Sequence, residues 1–374
     1  MATKRLVSKR ALGTPAAVLV LGGGLLGLTA CGSDDNTSTS AGSSGVQAGS
    51  IPCGNGSITG AGSSFQKNIE LQWIKDYTAA CAGSQVQYNS TGSGAGIQSF
   101  GDRQVDFAGS DSLMKDDEQT AADTRCGPGN KAIHMPITAG AIVFTYNLPG
   151  VEGLKLSPAV VAGIFQGEIK TWNDPKIAAD NAGATLPNTP IQPVHRSDSS
   201  GSTDILSQFL DATAKDTWKL GTGKELEWPG GQAAKGSDGV TAAVKSAPGG
   251  ITYVEQSFSK ANSLPEAQVS SGSGEFVAPN GQTVSAALAS ATPDTSKGDV
   301  RVEIDYSKTP AGAYPVSAVT YVITCDKGNT NAAGLKAYLG YAADKGQASA
   351  DALGFAPLPQ ALADQVKPLI NTIA

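Results

Sequence analysis

Histidine is almost absent from this chain: its 374 residues include two, His134 and His195, and neither sits in a cluster of Cys or His. None of the five cysteines forms a C-x-x-C pair, so the ligand spacing of a zinc site is missing. His134, between Ile133 and Met135, therefore reads as a strand or core residue. Nucleotide loops that cradle phosphates are missing too, because neither Gly92-Ser93-Gly94-Ala95-Gly96 nor Gly221-Thr222-Gly223-Lys224-Glu225 places Lys before Ser or Thr. No Gly-x-Ser-x-Gly elbow offers an activated serine. These gaps leave an enzyme such as a surface phosphatase without metal ligands or nucleophile, and no cofactor is expected. Acids outnumber bases, 33 to 27, which removes the positive stripe that a nucleic-acid partner needs. Aromatic residues make up 6% while glycines number 46, a balance that points to many tight loops.

One long apolar run occurs near the start, Ala11 to Leu28, preceded by Lys4, Arg5, Lys9 and Arg10 and followed by Thr29-Ala30-Cys31. Residues 1–30 thus have the pattern of an export signal with a small-residue cleavage site. Leu28-Thr29-Ala30-Cys31 resembles the lipobox of bacterial lipoproteins, which implies a diacylated Cys31 that anchors the chain on the extracytoplasmic face of the cell membrane. Removing the four basic residues of the signal takes the net charge from −6 to −10. Residues 31–56 read as a flexible tether, since Ser, Thr, Gly, Asp and Ala dominate as far as about Ile51. Export makes disulfides permissible, and Cys53, Cys81, Cys126 and Cys325 allow three pairings. A strand from Ser57 followed by a helix ending near Ala80 favours Cys53 with Cys81, and Cys126 with Cys325 follows by exclusion.

Beyond the tether, the chain repeats one device: a short apolar strand, a Gly/Ser turn, then a helix. Ser57 to Ser64 leads into Phe65, Ile69, Trp73 and Tyr77, four apolar residues one helical turn apart. Val86-Gln87-Tyr88 passes through Asn89 to Gly96 into Ile97 and Phe100. Val105-Asp106-Phe107-Ala108-Gly109-Ser110-Asp111 ends in a turn that carries an acid. Ile191 and Val194 lead through His195-Arg196-Ser197-Asp198-Ser199-Ser200-Gly201-Ser202 to Ile205, Leu206, Phe209 and Leu210, with Ser202 or Thr203 placed to cap and Asp204 in the first turn. Each helix start offers unpaired N–H groups and a positive dipole end to a small anion. Arg196 adds a planar fork of donors, and Asp198, two residues on, is placed to pin it.

Taken in order, Gly60-Ala61-Gly62-Ser63-Ser64-Phe65, the glycine run 92–96, the stretch 105–111 and the stretch 196–202 resemble the phosphate-binding protein of the phosphate-specific ABC importer. Further similar stretches include Thr171-Trp172-Asn173-Asp174-Pro175, Pro248 to Glu255, Tyr314-Pro315-Val316-Ser317 and Gly354 to Pro359. The resemblance implies an α/β, two-lobed periplasmic-binding-protein fold with mostly parallel sheets and a hinged ligand cleft. Lobe 1 would be discontinuous, residues 57–145 and 316–374, and lobe 2 would be 146–315, with crossings near Tyr146 and Tyr314 forming the hinge. It also implies the contacts: Ser64, Phe65, Ser93, Asp111, Arg196, Ser200, Gly201 and Ser202 on the anion, and Asp198 orienting Arg196. The family often has Thr at the positions of Ser64 and Ser202 and Pro at that of Gln66, a change expected to affect only the helix start.

Those contacts imply a function. Nearly every group donates, and Asp111 alone can only accept when ionised. It suits a ligand that keeps a proton, as phosphate does near neutrality and sulfate does not. The expected protein is a lipid-anchored, non-enzymatic solute-binding protein that captures inorganic phosphate and hands it to the permease subunits of an ABC importer. Arsenate, protonated much like phosphate, is the alternative ligand.

Overall fold

The computed structural model describes residues 51–271, 274–289 and 291–374. The signal segment, Cys31 and nearly all of the tether lie outside the described residues. Residues 51–56, expected to belong to the tether, are instead ordered. Ile51 is buried, Cys53 is bonded to Cys81, and the Gly54 N–H donates to the Tyr77 hydroxyl at 2.9 Å, so the chain is fixed before the first strand begins. The second bridge joins Cys126 to Cys325.

The expected strand–turn–helix units form in order: strand β1 (Gly56–Gly62) and helix α1 (Lys67–Ala80), β2 (Ser84–Ser90) and α2 (Ser93–Gly101), then β3 (Phe107–Ser110) and α3 (Asp116–Cys126). The helical spacing of Ile69, Trp73 and Tyr77 buries all three, and Phe65 enters the same core from the turn. Strand β4 (Ala132–Tyr146) follows, fifteen residues buried on both faces, as its nearly continuous apolar sequence requires. Later come β5 (Gln192–Arg196), α4 (Gly201–Thr213), β6 (Gln232–Ala234), α5 (Gly236–Ser246), β7 (Gly250–Glu255), β8 (Ser317–Cys325) and β9 (Phe355–Ala356).

Nine strands make one sheet in the order β2-β1-β3-β8-β4-β7-β5-β6, with β9 added beside β4. The wings β2-β1-β3 and β7-β5-β6 are parallel, as helix-connected strands must be. The centre is antiparallel, which narrows the expectation of mostly parallel sheets: β8 returns alongside β4 in the opposite sense and also pairs antiparallel with β3. Along β4, Ala132–Ala141 pairs with β8, and Ile142–Tyr146 pairs with β7. One strand therefore belongs to both wings, and its change of partner falls a few residues before Tyr146. At that change the Ile142 N–H donates to the Val316 carbonyl at 2.9 Å, and the Tyr314 hydroxyl donates to the Ile142 carbonyl at 3.0 Å. His134 lies on β4, fully buried, accepting from the Met114 N–H and facing Asp299 at 2.8 Å, a core residue as its setting implied.

Candidate anion-binding site

Parallel strands aim their carboxyl ends, and the helix starts that follow, at one crevice. Here the ends of β1, β3 and β5 and the starts of α2, α4 and α5 converge there. Gly201 shows how closely the wings approach, since a Cβ on it would lie 2.6 Å from Asp111 Cβ, Asp111 Oδ2 and Ser93 Oγ. Only glycine fits. The Gly94 N–H crosses to the Ser199 carbonyl at 3.0 Å, and Gly92, at φ 96°, leaves room for Asp198 Oδ2. Two ion pairs also span the wings, Lys67 with Asp238 at 2.6 Å and Lys224 with Glu118 at 2.6 Å.

From the second wing, Arg196 ends β5 with its side chain almost wholly buried, and Asp198 holds it by two bonds, Nε to Oδ1 at 2.7 Å and Nη2 to Oδ2 at 2.5 Å. Asp198 also accepts from the Gly236 N–H at 3.0 Å, so the first residue of α5 helps orient the acid. Burial pushes the Asp198 carboxyl up, but the Arg196 guanidinium and the backbone N–H groups of Gly236 and Asp198 together hold it below the ordinary aspartate range. The α4 cap is Ser200, not Ser202 or Thr203: its Oγ accepts from the Thr203 N–H at 3.2 Å, and the helix begins at Gly201. The reason lies in the backbone, which is extended at Ser200 and helical from the next residue. Ser202 is thereby freed from capping, and its buried Oγ has no partner among the described residues.

From the first wing come Ser64, Phe65, Ser93 and Asp111. The Ser93 Oγ accepts from the Asp111 N–H at 3.2 Å and lies 3.4 Å from Asp111 Oδ2. Asp111 Oδ1 takes bonds from Ser63 Oγ at 2.5 Å and Thr320 Oγ1 at 2.6 Å. Burial pushes this carboxyl above its ordinary value, while those hydroxyls, Arg196 and Ser93 pull the other way. Phe65 packs its ring edge-on to Phe355, in a space that Gly140 leaves open. Among the described residues the N–H groups of Phe65, Ser93, Gly201 and Ser202 have no partner within the protein. Buried donors are rarely left so, and four on turns that border the meeting of the wings mark a candidate place for an anion.

The structure thus brings Ser93, Asp111, Arg196, Asp198 and Gly201 together where the wings meet, with Ser64, Phe65, Ser200 and Ser202 on the adjoining turns. Several participants had no distinct signal in the sequence. Ser237, second in α5, places its Oγ 2.8 Å from Ser64 Oγ and donates its N–H to the same oxygen at 3.2 Å. The sequence around it repeats the strand–Gly/Ser–helix device, which is the one cue to its position. Thr320 lies mid-strand on β8 and has no cue. Gln66, expected to matter only for the helix start, is instead fully buried and bonded to β8. No group of three or more His, Cys, Asp or Glu among the described residues is arranged to hold a metal ion.

Residues 38–345 match the profile of the PBP superfamily domain. The phosphate-binding protein PstS 3 of Mycobacterium tuberculosis is 37% identical over 96% of this chain and 98% of its own length. The phosphate-binding protein PstS of Xylella fastidiosa is 35% identical, over 83% of this chain and 84% of its own length. Among solved structures, a high-affinity periplasmic phosphate-binding protein bound with phosphate superposes with a TM-score of 0.70 at 23% identity, covering 84% of this chain and 93% of that one, a likeness of fold. The chain belongs to the PBP superfamily, among its phosphate-binding proteins, a family of solute-binding proteins and not of enzymes.

Proposed function

We propose that the protein captures inorganic phosphate between two lobes, residues 57–145 with 316–374 and residues 146–315, and delivers it to the permease subunits of an ABC importer. The observation that carries this reading is the composition of the crevice: many unused donors and, since Asp198 is taken up by Arg196 and Gly236, the Asp111 carboxylate as the acceptor among the described residues. The N–H groups of Phe65, Ser93, Gly201 and Ser202, the hydroxyls of Ser64, Ser93, Ser200 and Ser202, and the Arg196 guanidinium bind the phosphate oxygens. Asp111 Oδ2 accepts a hydrogen bond from the protonated oxygen of the ligand. Against sulfate the carboxylate meets a lone pair with nothing between, a mismatch that discriminates by about 10⁴ to 10⁵. Release follows from rotation about the change of partner in β4 and the segment Tyr314–Val316, which parts the two halves of the site.

Titration calorimetry on the soluble part, after stripping bound ligand, tests the reading: phosphate binds tightly and sulfate does not. Equal affinity for the two anions overturns it. The lipid anchor is a separate element of the proposal. Cys31→Ser is expected to leave phosphate binding intact and release the protein from the membrane fraction, because two acyl chains supply the stable anchoring that one cannot. Membrane retention of the processed variant removes the anchor from the proposal.

A further inference from the structure

The buried amide of Gln66 donates from Nε2 to the Tyr321 carbonyl at 2.7 Å and to Thr320 Oγ1 at 2.6 Å. A carbonyl can only accept, so the nitrogen of the amide is the atom that faces it, and the same NH2 group fills one acceptor position of the Thr320 hydroxyl. Tyr321 lies opposite Pro136, which has no N–H to give, just past a bulge in the β4–β8 pairing. Thr320 then has one proton to place. Asp111 Oδ1 is 2.6 Å away and the Ser110 carbonyl 3.3 Å, and the nearer, charged acceptor wins. With Ser63 donating to the same oxygen, Oδ1 is committed to the protein, while Oδ2 faces the crevice beside Ser93 and Gly201. The second polar atom of Gln66, Oε1, is buried without a partner among the described residues, so the amide does not satisfy both of its own polar ends here.

We infer that Gln66 and Thr320 form a relay of donated hydrogen bonds that keeps Asp111 an acceptor, which makes both of them positioning residues for the choice between protonated and unprotonated oxyanions. The inference rests on the reading of Asp111 as the group that accepts a hydrogen bond from the ligand's protonated oxygen. Burial works against that role by pushing the carboxyl up, and the Ser63 and Thr320 hydroxyls oppose it. Other charged or titratable groups around Asp111 include Arg196 from β5, Tyr88 from β2 and Glu255 from β7, with Asp204, Glu303, Tyr306 and Tyr321 lining the adjoining cavity. Arg196 favours the ionised acid, and the acids disfavour it. Thr320 acts at contact distance, and Gln66 sets its direction.

Sulfate is the probe, because it carries no proton across the working range and so reports the state of Asp111 alone. In the parent protein, sulfate affinity is expected to rise as pH falls through the Asp111 titration, since the neutral acid can donate to a sulfate oxygen. Thr320→Val removes a donor to the carboxylate and is expected to move that midpoint up by about one pH unit. Gln66→Met, which leaves the Thr320 hydroxyl free to turn, is expected to move it in the same direction by less, and Thr320→Ser to restore the parent value. Asp111→Asn is expected to bind sulfate with no such pH dependence. If the asparagine variant behaves so while Thr320→Val and Gln66→Met both keep the parent midpoint, the relay is wrong and the reading of Asp111 stands. If the parent shows no pH dependence, or the asparagine variant retains it, the reading of Asp111 fails first. Melting curves identify any variant that does not fold, and Gln66→Met carries the test alone where Thr320→Val is lost.

Discussion

The two halves of the crevice use the same local device for different work. On the Arg196 side, the turn after β5 brings together a guanidinium, two hydroxyls and a helix start, all of them donors. Asp198 neutralises the arginine and fixes its plane. On the Asp111 side, the turn after β3 contributes a carboxylate whose outer oxygen is proposed to stay an acceptor, and the side chains bonded to it are neutral hydroxyls. Asp198 is held below the ordinary aspartate range by its cation, while Asp111 is pushed above it by burial. In the proposed reading, the first half supplies attraction for any small anion and the second decides which anion stays. In this structure Gly201 meets Asp111 and Ser93 across the two wings, so in the proposed reading selection is tied to their closure.

The comparison breaks most completely at Asp111. In Asp111→Asn the amide can donate where the carboxylate could not, so the preference for phosphate over sulfate is expected to fall by about three orders of magnitude, read by competitive titration of the two anions. An undiminished preference assigns selection elsewhere. Gly201→Ala attacks the meeting of the two halves. Its Cβ overlaps three atoms of the opposite wing, and phosphate affinity should drop about a hundredfold, in line with the cost of overpacking a closed contact. Arg196→Lys keeps the charge and loses the fork held by Asp198, for an expected loss of about 1–2 kcal/mol in phosphate binding and a smaller change in selectivity. A large change in selectivity there shows that the two halves are not separable.

Stability gives a finer measure of the same contrast. The folded Asp198 value lies below the unfolded one, so its stabilisation is complete above the unfolded value, about 3.9, and is lost as pH falls through the folded value. The folded Asp111 value lies above the unfolded one, so its cost is present above the folded value and disappears as pH falls below the unfolded one. At neutral pH and without ligand, Asp111→Asn is expected to raise the melting temperature by about 2 °C, and Asp198→Asn to lower it. Shifts of the same sign in calorimetry contradict the opposed roles.

Much of the site was written in local sequence, because its contacts lie within a turn. Arg196 and Asp198 are two residues apart, Ser200 caps Thr203 three residues on, and glycines mark the places where chain meets chain. Cys53 and Cys81 were also within reach, since a strand start and the following helix end sit side by side. Local pattern misjudged the cap, because Ser200, Ser202 and Thr203 all have capping chemistry and the choice among them depends on where the backbone turns helical. It also confined Gln66 to the helix start, since nothing near it in the chain shows what its amide meets. Sequence alone determined the repeated strand–turn–helix device, the residues at each turn, and hence the chemistry offered to an anion. Tertiary structure alone decided that Thr320 reaches Asp111 across 209 residues and that Ser237 meets Ser64 across 173. Those pairings follow from strand register and the closure of the wings, and a shift of one residue in a strand turns the side chain to the other face.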